Sequence, residues 1–327
     1  MILQPDNSNY LDLPGLTVLV GGLWIANLNY WGCNQYITQR ALGADLSTAR
    51  NGLLFAAFLK LLMPVIVVLP GIAAFVLYND GLFQQEMMMD GSLNPDRAYP
   101  LLLNLLPTGL KGLAFAALTA AIVASLAGKS NSIATIFSLD IYQKYISPKA
   151  DHKKVIFIGK VTVVVSMIIA ILLAPNLGID KKGGFQMIQE YTGFLSPGIF
   201  AMFLMGLFWQ RTNSAAALFA TIGGFIFSLV LKFLPGIVDL QFLSAMGLSA
   251  PNGDGIYEIP FLDRMMIVFV TCIVGMVVIS LAASEEKTRQ ENDIIKVNTS
   301  LYKVHPGFKI GSVIVLAMLA LLYIYFW

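Results

Sequence analysis

Runs of about 18 or more mostly apolar residues recur along the whole chain, as in LLFAAFLKLLMPVIVV at 53–68. Such runs cross a bilayer. Hydrocarbon offers no water to a backbone N–H or C=O, so each crossing segment has to satisfy its own peptide groups as a helix. The expectation is therefore an all-α polytopic membrane protein of about eight spans. Composition agrees: 12% of the residues are charged, about half the usual share for a soluble domain.

The spans fall near 14–38, 52–78, 109–139, 155–174, 186–208, 214–233, 265–283 and 309–326. Leu101–Thr108 is too short to cross and is expected to lie at the interface. Long polar or charged loops are expected at Gln39–Asn51, Asn79–Pro100, Pro235–Leu262 and Ser284–Gly307, with a short connection at Pro175–Gly184. Lysine and arginine asymmetry orients the chain. The loops after the first, third, fifth and seventh spans hold Arg40, Arg50, Lys144, Lys149, Lys153, Lys154, Arg211, Lys287, Arg289, Lys296 and Lys303, and should face the cytoplasm. Lys181 and Lys182 run against that pattern.

Several function classes are set aside. A net charge of +2 gives no basic surface for nucleic acid. Cys33 and Cys272 lie in different spans without a CxxC pair, which argues against a disulfide or a zinc site. His152 and His305 fall in separate polar loops. No nucleophile–base pair, metal cluster or nucleotide motif is present, and GDG at Gly253–Gly255 is an ordinary loop turn, so an enzyme is not expected. The polar start QPDNSNYLDLPG lacks a basic n-region and is no secretory signal.

One stretch breaks the pattern of the spans. Gly21–Tyr36, GGLWIANLNYWGCNQY, lies within the first span yet carries Asn27, Asn29, Tyr30, Trp31, Asn34 and Gln35. An unpaired amide in hydrocarbon costs several kcal/mol. The stretch therefore reads as a membrane helix interrupted at mid-depth, with its polar groups turned to a solvated cavity. Interrupted helices of this kind form substrate sites in secondary transporters. The rings of Tyr30 and Trp31 beside amides suit a sugar, because aromatic faces stack on a pyranose while amides bind its hydroxyls.

Other polar residues sit where lipid does not favour them. Lys60 lies mid-helix, where an ammonium costs about 2.5–3.5 kcal/mol. It reads either as a donor to substrate or an acid, or as a snorkelling side chain. Gln189 and Glu190 open the fifth span, ahead of Tyr191 and of Pro197, which should bend it. Glu190 fits a functional role and equally an acidic residue at a helix start. In the third span Ser125, Lys129 and Ser132 recur on one helical face. Their hydroxyls suit sodium, and small-residue helix packing through AALTAAIVASLAG explains the stripe as well.

The strings GGLWIANLNYWGCNQYITQR, FAAFLKLLMPVIVVLPGIAAF, ATIFSLDIYQKYISP, IQEYTGFLSPGI and GLFWQRTNS closely resemble the sodium/solute symporter family, in particular its bacterial sodium-coupled galactose and glucose carriers. The resemblance covers essentially the whole chain. It implies the leucine-transporter-like fold: residues 1–210 as the second inverted five-helix repeat, its broken first helix at about 21–36, and 211–327 as three additional helices. It implies sugar-binding roles for Asn27, Tyr30, Trp31, Lys60 and Gln189. It makes Ala121 and Ser125 sodium-site positions, with sodium as the coupling ion. Two residues depart from the family's pattern: Ala124 stands where a serine is expected, and Lys129 where an uncharged residue is. A lost oxygen and a gained cation together suggest weakened sodium dependence, whereas a snorkelling Lys129 would leave it intact.

The first repeat is expected to lie outside this chain, so that Met1 corresponds to an internal position and each site is partial. The implied function is the C-terminal portion of a sodium-coupled sugar symporter in the plasma (inner) membrane. A symporter for a polyol, sialic acid or amino acid, and a non-transporting sugar sensor, are the alternatives.

Overall fold

The computed structural model describes residue 7 and residues 10–89, 91–176, 184–283, 295 and 302–326. They fall into two compact units, Met1–Leu54 with Ile188–Trp327, and Phe55–Met187. Among the described residues seven helices are long and apolar enough to cross a membrane. The expected eighth span is the interrupted one. It divides into α1 (Thr17–Val20), α2 (Leu23–Leu28), a π-helical turn at Asn29–Cys33 and α3 (Gln35–Leu42), none of which reaches across by itself. The protein is an all-α polytopic membrane protein.

α4 (Leu46–Asn79) starts in the first unit and belongs to the second from Phe55 onward. It begins earlier than the sequence suggests because Asp45 caps it. The Asp45 carboxylate accepts from the N–H groups of Ser47 at 2.9 Å and Thr48 at 3.0 Å. The Thr48 hydroxyl donates to the same carboxylate and holds it below the usual carboxylate range.

In the second unit α5 (Gln84–Met87), the hairpin of β1 (Met88–Met89) and β2 (Ser92–Leu93), and α6 (Ala98–Asn104) occupy the region expected to be a long loop. Leu101, expected at an interface, is buried with Ala74 and Met87 in a small apolar cluster. α7 (Thr108–Thr135) continues as a π-helix through Ile146 and turns into α8 (His152–Leu173). The two pack where Gly159 leaves room for Ser138 and Ala134; a Cβ there would sit 3.7 Å from the Ser138 hydroxyl oxygen.

The first unit is completed by α9 (Gly184–Phe208), α10 (Ser214–Leu218), a π turn at Phe219–Gly223, α11 (Gly224–Phe233), α12 (Phe261–Ala282) and α13 (Pro306–Phe326). Between α11 and α12, β3 (Ala250–Pro251) pairs with β4 (Tyr257–Glu258). Their turn is the GDG segment, folded by the Asn252 side chain, which accepts from Asp254 N–H at 2.9 Å and Ile256 N–H at 3.0 Å.

The core of this unit lies between α2, α9, α10 and α12, built on Ile25, Phe200, Ala216, Ala220, Phe269 and Met276. The Trp24 ring meets Phe269 edge-on at 5.4 Å, and Phe269 stacks on Phe200 at 5.4 Å. Small residues bring the backbones together. A Cβ on Gly224 would lie 2.8 Å from the Gly198 Cα and 3.1 Å from the Cys272 sulfur. Lipid gives helices no hydrophobic reason to associate, so this close approach and its dispersion contacts have to supply one. Cys33 and Cys272 are both free thiols. Lys181, Lys182, Lys287, Arg289 and Lys296, and most of the loop expected at Ser284–Gly307, lie outside the described residues.

Candidate functional site

The interruption of the first span has a local cause. Gly21 leaves helical geometry, with ψ −126°. Gly21 and Gly22 are pressed against the start of α12. A Cβ on Gly21 would lie 3.2 Å from Asp263 Oδ1, and one on Gly22 2.8 Å from the Met265 Cβ. Only glycine fits such an approach. The second break follows the π turn. Asn34 is extended, and its side chain accepts from Tyr36 N–H at 3.2 Å to cap α3. π-helical turns inside helices frequently accompany functional sites.

Between these breaks lie three of the residues read as substrate-binding. Asn27 is exposed on α2, and its amide donates to the Leu23 carbonyl at 2.8 Å. Tyr30 is 42% exposed and meets Trp31 edge-on at 5.8 Å. Asn29, on the same turn, has a buried side-chain oxygen without a hydrogen-bond partner. An amide, two rings and a second amide therefore share one short irregular segment, which suits a neutral polyhydroxylated ligand.

Gln189 lies half-buried near the start of α9, in the same unit as the broken helix. Its carbonyl accepts from the Thr192 hydroxyl at 3.2 Å. Next to it, Glu190 holds two cations. Its Oε1 accepts from Lys232 Nζ at 2.6 Å and from Arg264 Nη2 at 2.7 Å. The start of α9, the end of α11 and the start of α12 are thereby joined at one end of the bundle. Sequence reading left Glu190 undecided and connected neither Lys232 nor Arg264 to it. The available signal was alternation: successive antiparallel spans bring start, end and start together.

The remaining residues belong to the second unit. Lys60 is exposed on α4. Ala121, Ser125 and Lys129, four residues apart along α7, are all exposed, as is Ala124. Ser132, read on the same stripe, is buried at 7% exposure. Ser130 turns toward α8, its hydroxyl 3.8 Å from the Met167 sulfur. The polar stripe thus runs from an open face into a helix contact, and the packing reading describes its buried end. Among the described residues no group of three His, Cys, Asp or Glu side chains could hold a metal. Sodium does not need one, since hydroxyl and carbonyl oxygens serve a hard cation.

A cavity of about 1220 Å³ opens in the first unit between α9, α10 and α12, lined by Met202, Leu207, Thr212, Asn213, Ala215 and Ile279. None of the residues read from sequence as site residues lines it.

Comparison with known proteins fits these features. The model of the sodium:solute symporter family matches residues 3–224. A sodium/glucose cotransporter of Vibrio parahaemolyticus is 43% identical over 335 residues, covering all of this chain and 57% of that protein. Human sodium/myo-inositol cotransporter 2 is 38% identical over 228 residues, covering 67% of this chain and 34% of its own length. The human sodium/myo-inositol cotransporter is 34% identical over 215 residues, or 63% of this chain. The chain thus spans between about a third and just over half of these relatives. With the family model matching well over half of its length, the chain belongs to the sodium:solute symporter family.

Proposed function

We propose that this chain is the C-terminal portion of a sodium-coupled sugar symporter of the plasma (inner) membrane, with galactose or glucose as substrate. The observation that carries the reading is the twice-broken helix, which presents Asn27, Tyr30 and Trp31 together on one irregular segment. In this reading Asn27, Lys60 and Gln189 bind sugar hydroxyls, while Tyr30 and Trp31 cover the apolar face of the ring. The Ala121 carbonyl and the Ser125 hydroxyl contribute to the sodium site. Residues 1–210 are the second inverted repeat and 211–327 the additional helices, a division by ancestry rather than by packing. The first repeat supplies the rest of both sites.

Sodium would favour the outward-open state and sugar would follow, with inward release by rocking of the repeats. Coupling is then a free-energy linkage between the two sites. The nearby Ala124 and Lys129 reduce the oxygen count and add a positive charge, so a weaker sodium dependence belongs to the proposal.

The test is sodium-driven uptake of radiolabelled galactose and glucose into vesicles containing the complete protein. Asn27→Ala and Gln189→Ala should weaken sugar binding at unchanged protein level, and Tyr30→Ala should mainly speed release. Equal loss of folded protein in all three would assign them structural roles instead. The named myo-inositol cotransporters among the relatives favour a polyol as the second reading. If unlabelled myo-inositol competes better than either hexose, that reading takes the place of the first.

A further inference from the structure

Asp263 is the most deeply buried acid among the described residues, at 3% exposure, and it lies beside the first break of the broken helix. One of its oxygens, Oδ2, has no hydrogen-bond partner. Its other oxygen faces Gly21, and the Thr17 side chain is its hydrogen-bond neighbour. The Thr17 hydroxyl, however, has one proton, and it donates to the Pro14 carbonyl at 2.5 Å. Pro14 and Asp263 compete for that proton, and whichever receives it leaves the other oxygen unserved.

Among the described residues no other side chain is hydrogen-bonded to this carboxylate. The neighbouring Arg264 is committed to Glu190, as is Lys232. Tyr10, the remaining titratable group nearby, donates its hydroxyl to the Gly247 carbonyl at 2.8 Å. The first turn of α12 gives Asp263 some favourable dipole, but no donor at Oδ2. The Thr17 carbonyl, which accepts from Gly21 N–H at 2.6 Å, lies against the same glycine as Asp263 Oδ1. A buried carboxylate with an unserved oxygen, beside a hydroxyl and a backbone carbonyl, is the donor set of a hard cation.

We propose that Asp263 and Thr17 form a binding site for a monovalent, sodium-sized cation at the Gly21–Gly22 break. A single carboxylate balances a single positive charge, whereas divalent ions are usually held by several anionic oxygens. The proposal uses no atom of α7 and does not depend on the role of its oxygens. A cation there ties the break to the first turn of α12, so its binding and the geometry of the broken helix are linked.

Radiolabelled sodium binding to the purified chain in detergent tests this directly. The wild-type protein should show a saturable component that Asp263→Asn removes and Thr17→Val weakens by about tenfold, as loss of one ligand to a charged group should. Ser125→Ala should leave that component intact. A monodisperse Asp263→Asn protein binding sodium as the wild type does would overturn the proposal. If Asp263→Asn does not fold, Thr17→Val decides: unchanged sodium affinity overturns it. Infrared titration provides the last arm. A pH-dependent carboxyl band lost in Asp263→Asn, with no saturable sodium component, would mean that the carboxylate takes a proton, and that too overturns it.

Discussion

Glu190 and Lys60 are both charged residues within membrane-length apolar helices, and the two units treat them differently. In the first unit the acid on α9 collects a lysine and an arginine from two other helices. The aromatic and small-residue core then closes around the same helices. In the second unit Lys60, Ser125 and Lys129 lie on exposed helix faces, and no residue of the most apolar membrane-length stretch of α7 is fully buried. Intramembrane charge is rare and usually functional because lipid cannot solvate it. The comparison separates two settings for it: charge paired inside one unit, which holds helices together, and charge on an exposed helix face.

Substitutions can break or sharpen that distinction. The largest effect should come from Glu190→Ala, which leaves Lys232 and Arg264 beside each other without their acid. A loss of about 3 kcal/mol is expected for removing the shared acid of a partly buried ion network. Thermal unfolding in detergent measures it, and a loss below about 1 kcal/mol would place Glu190 with the open-face charges. Gly198→Ala should follow, at about 2 kcal/mol, since its methyl runs into the Ala220 carbonyl and has to push α9 from α11. Lys232→Met should cost about 1 kcal/mol or less, because its side chain is 29% exposed and Arg264 stays on the acid. Smallest should be Lys129→Met and Ser125→Ala, within about 0.5 kcal/mol in stability. In the complete transporter the same two changes should shift sodium dependence in opposite directions. If Lys129→Met leaves that dependence unchanged, the lysine has no part in the sodium site.

The parts of this fold legible in the sequence were those governed by local rules. Apolar run length located the membrane helices to within a few residues at most ends, and the amide density of Gly21–Tyr36 located the interruption. The start of α4 was misplaced because Asp45, Ser47 and Thr48 read as loop by polarity, although together they build a cap. Leu101 was read only as part of a short interfacial segment, and its burial against Ala74 and Met87 was not legible because those residues lie elsewhere in the chain. The partners of Glu190 lie 42 and 74 residues further on, and no periodicity connects them. Asp263 was not singled out, because its importance comes from Gly21 and Thr17 packing against it from a distant part of the chain. Propensity and periodicity report what a residue prefers alone. They do not report which helix it meets.

The spacing of the ionic junction along the chain also governs how the protein is made. Synthesis runs from the amino end, so Glu190 enters the bilayer before either cation exists. Lys232 follows 42 residues later and Arg264 74 residues later. When α11 arrives, it forms a neutral hairpin with α9 that lipid tolerates. Arg264 then adds a second positive charge to an acid already engaged, at the moment the first turn of α12 emerges. Assembly of this junction therefore has a natural order written into the chain, in which the last of its three helices to arrive closes what the other two have held open in the membrane.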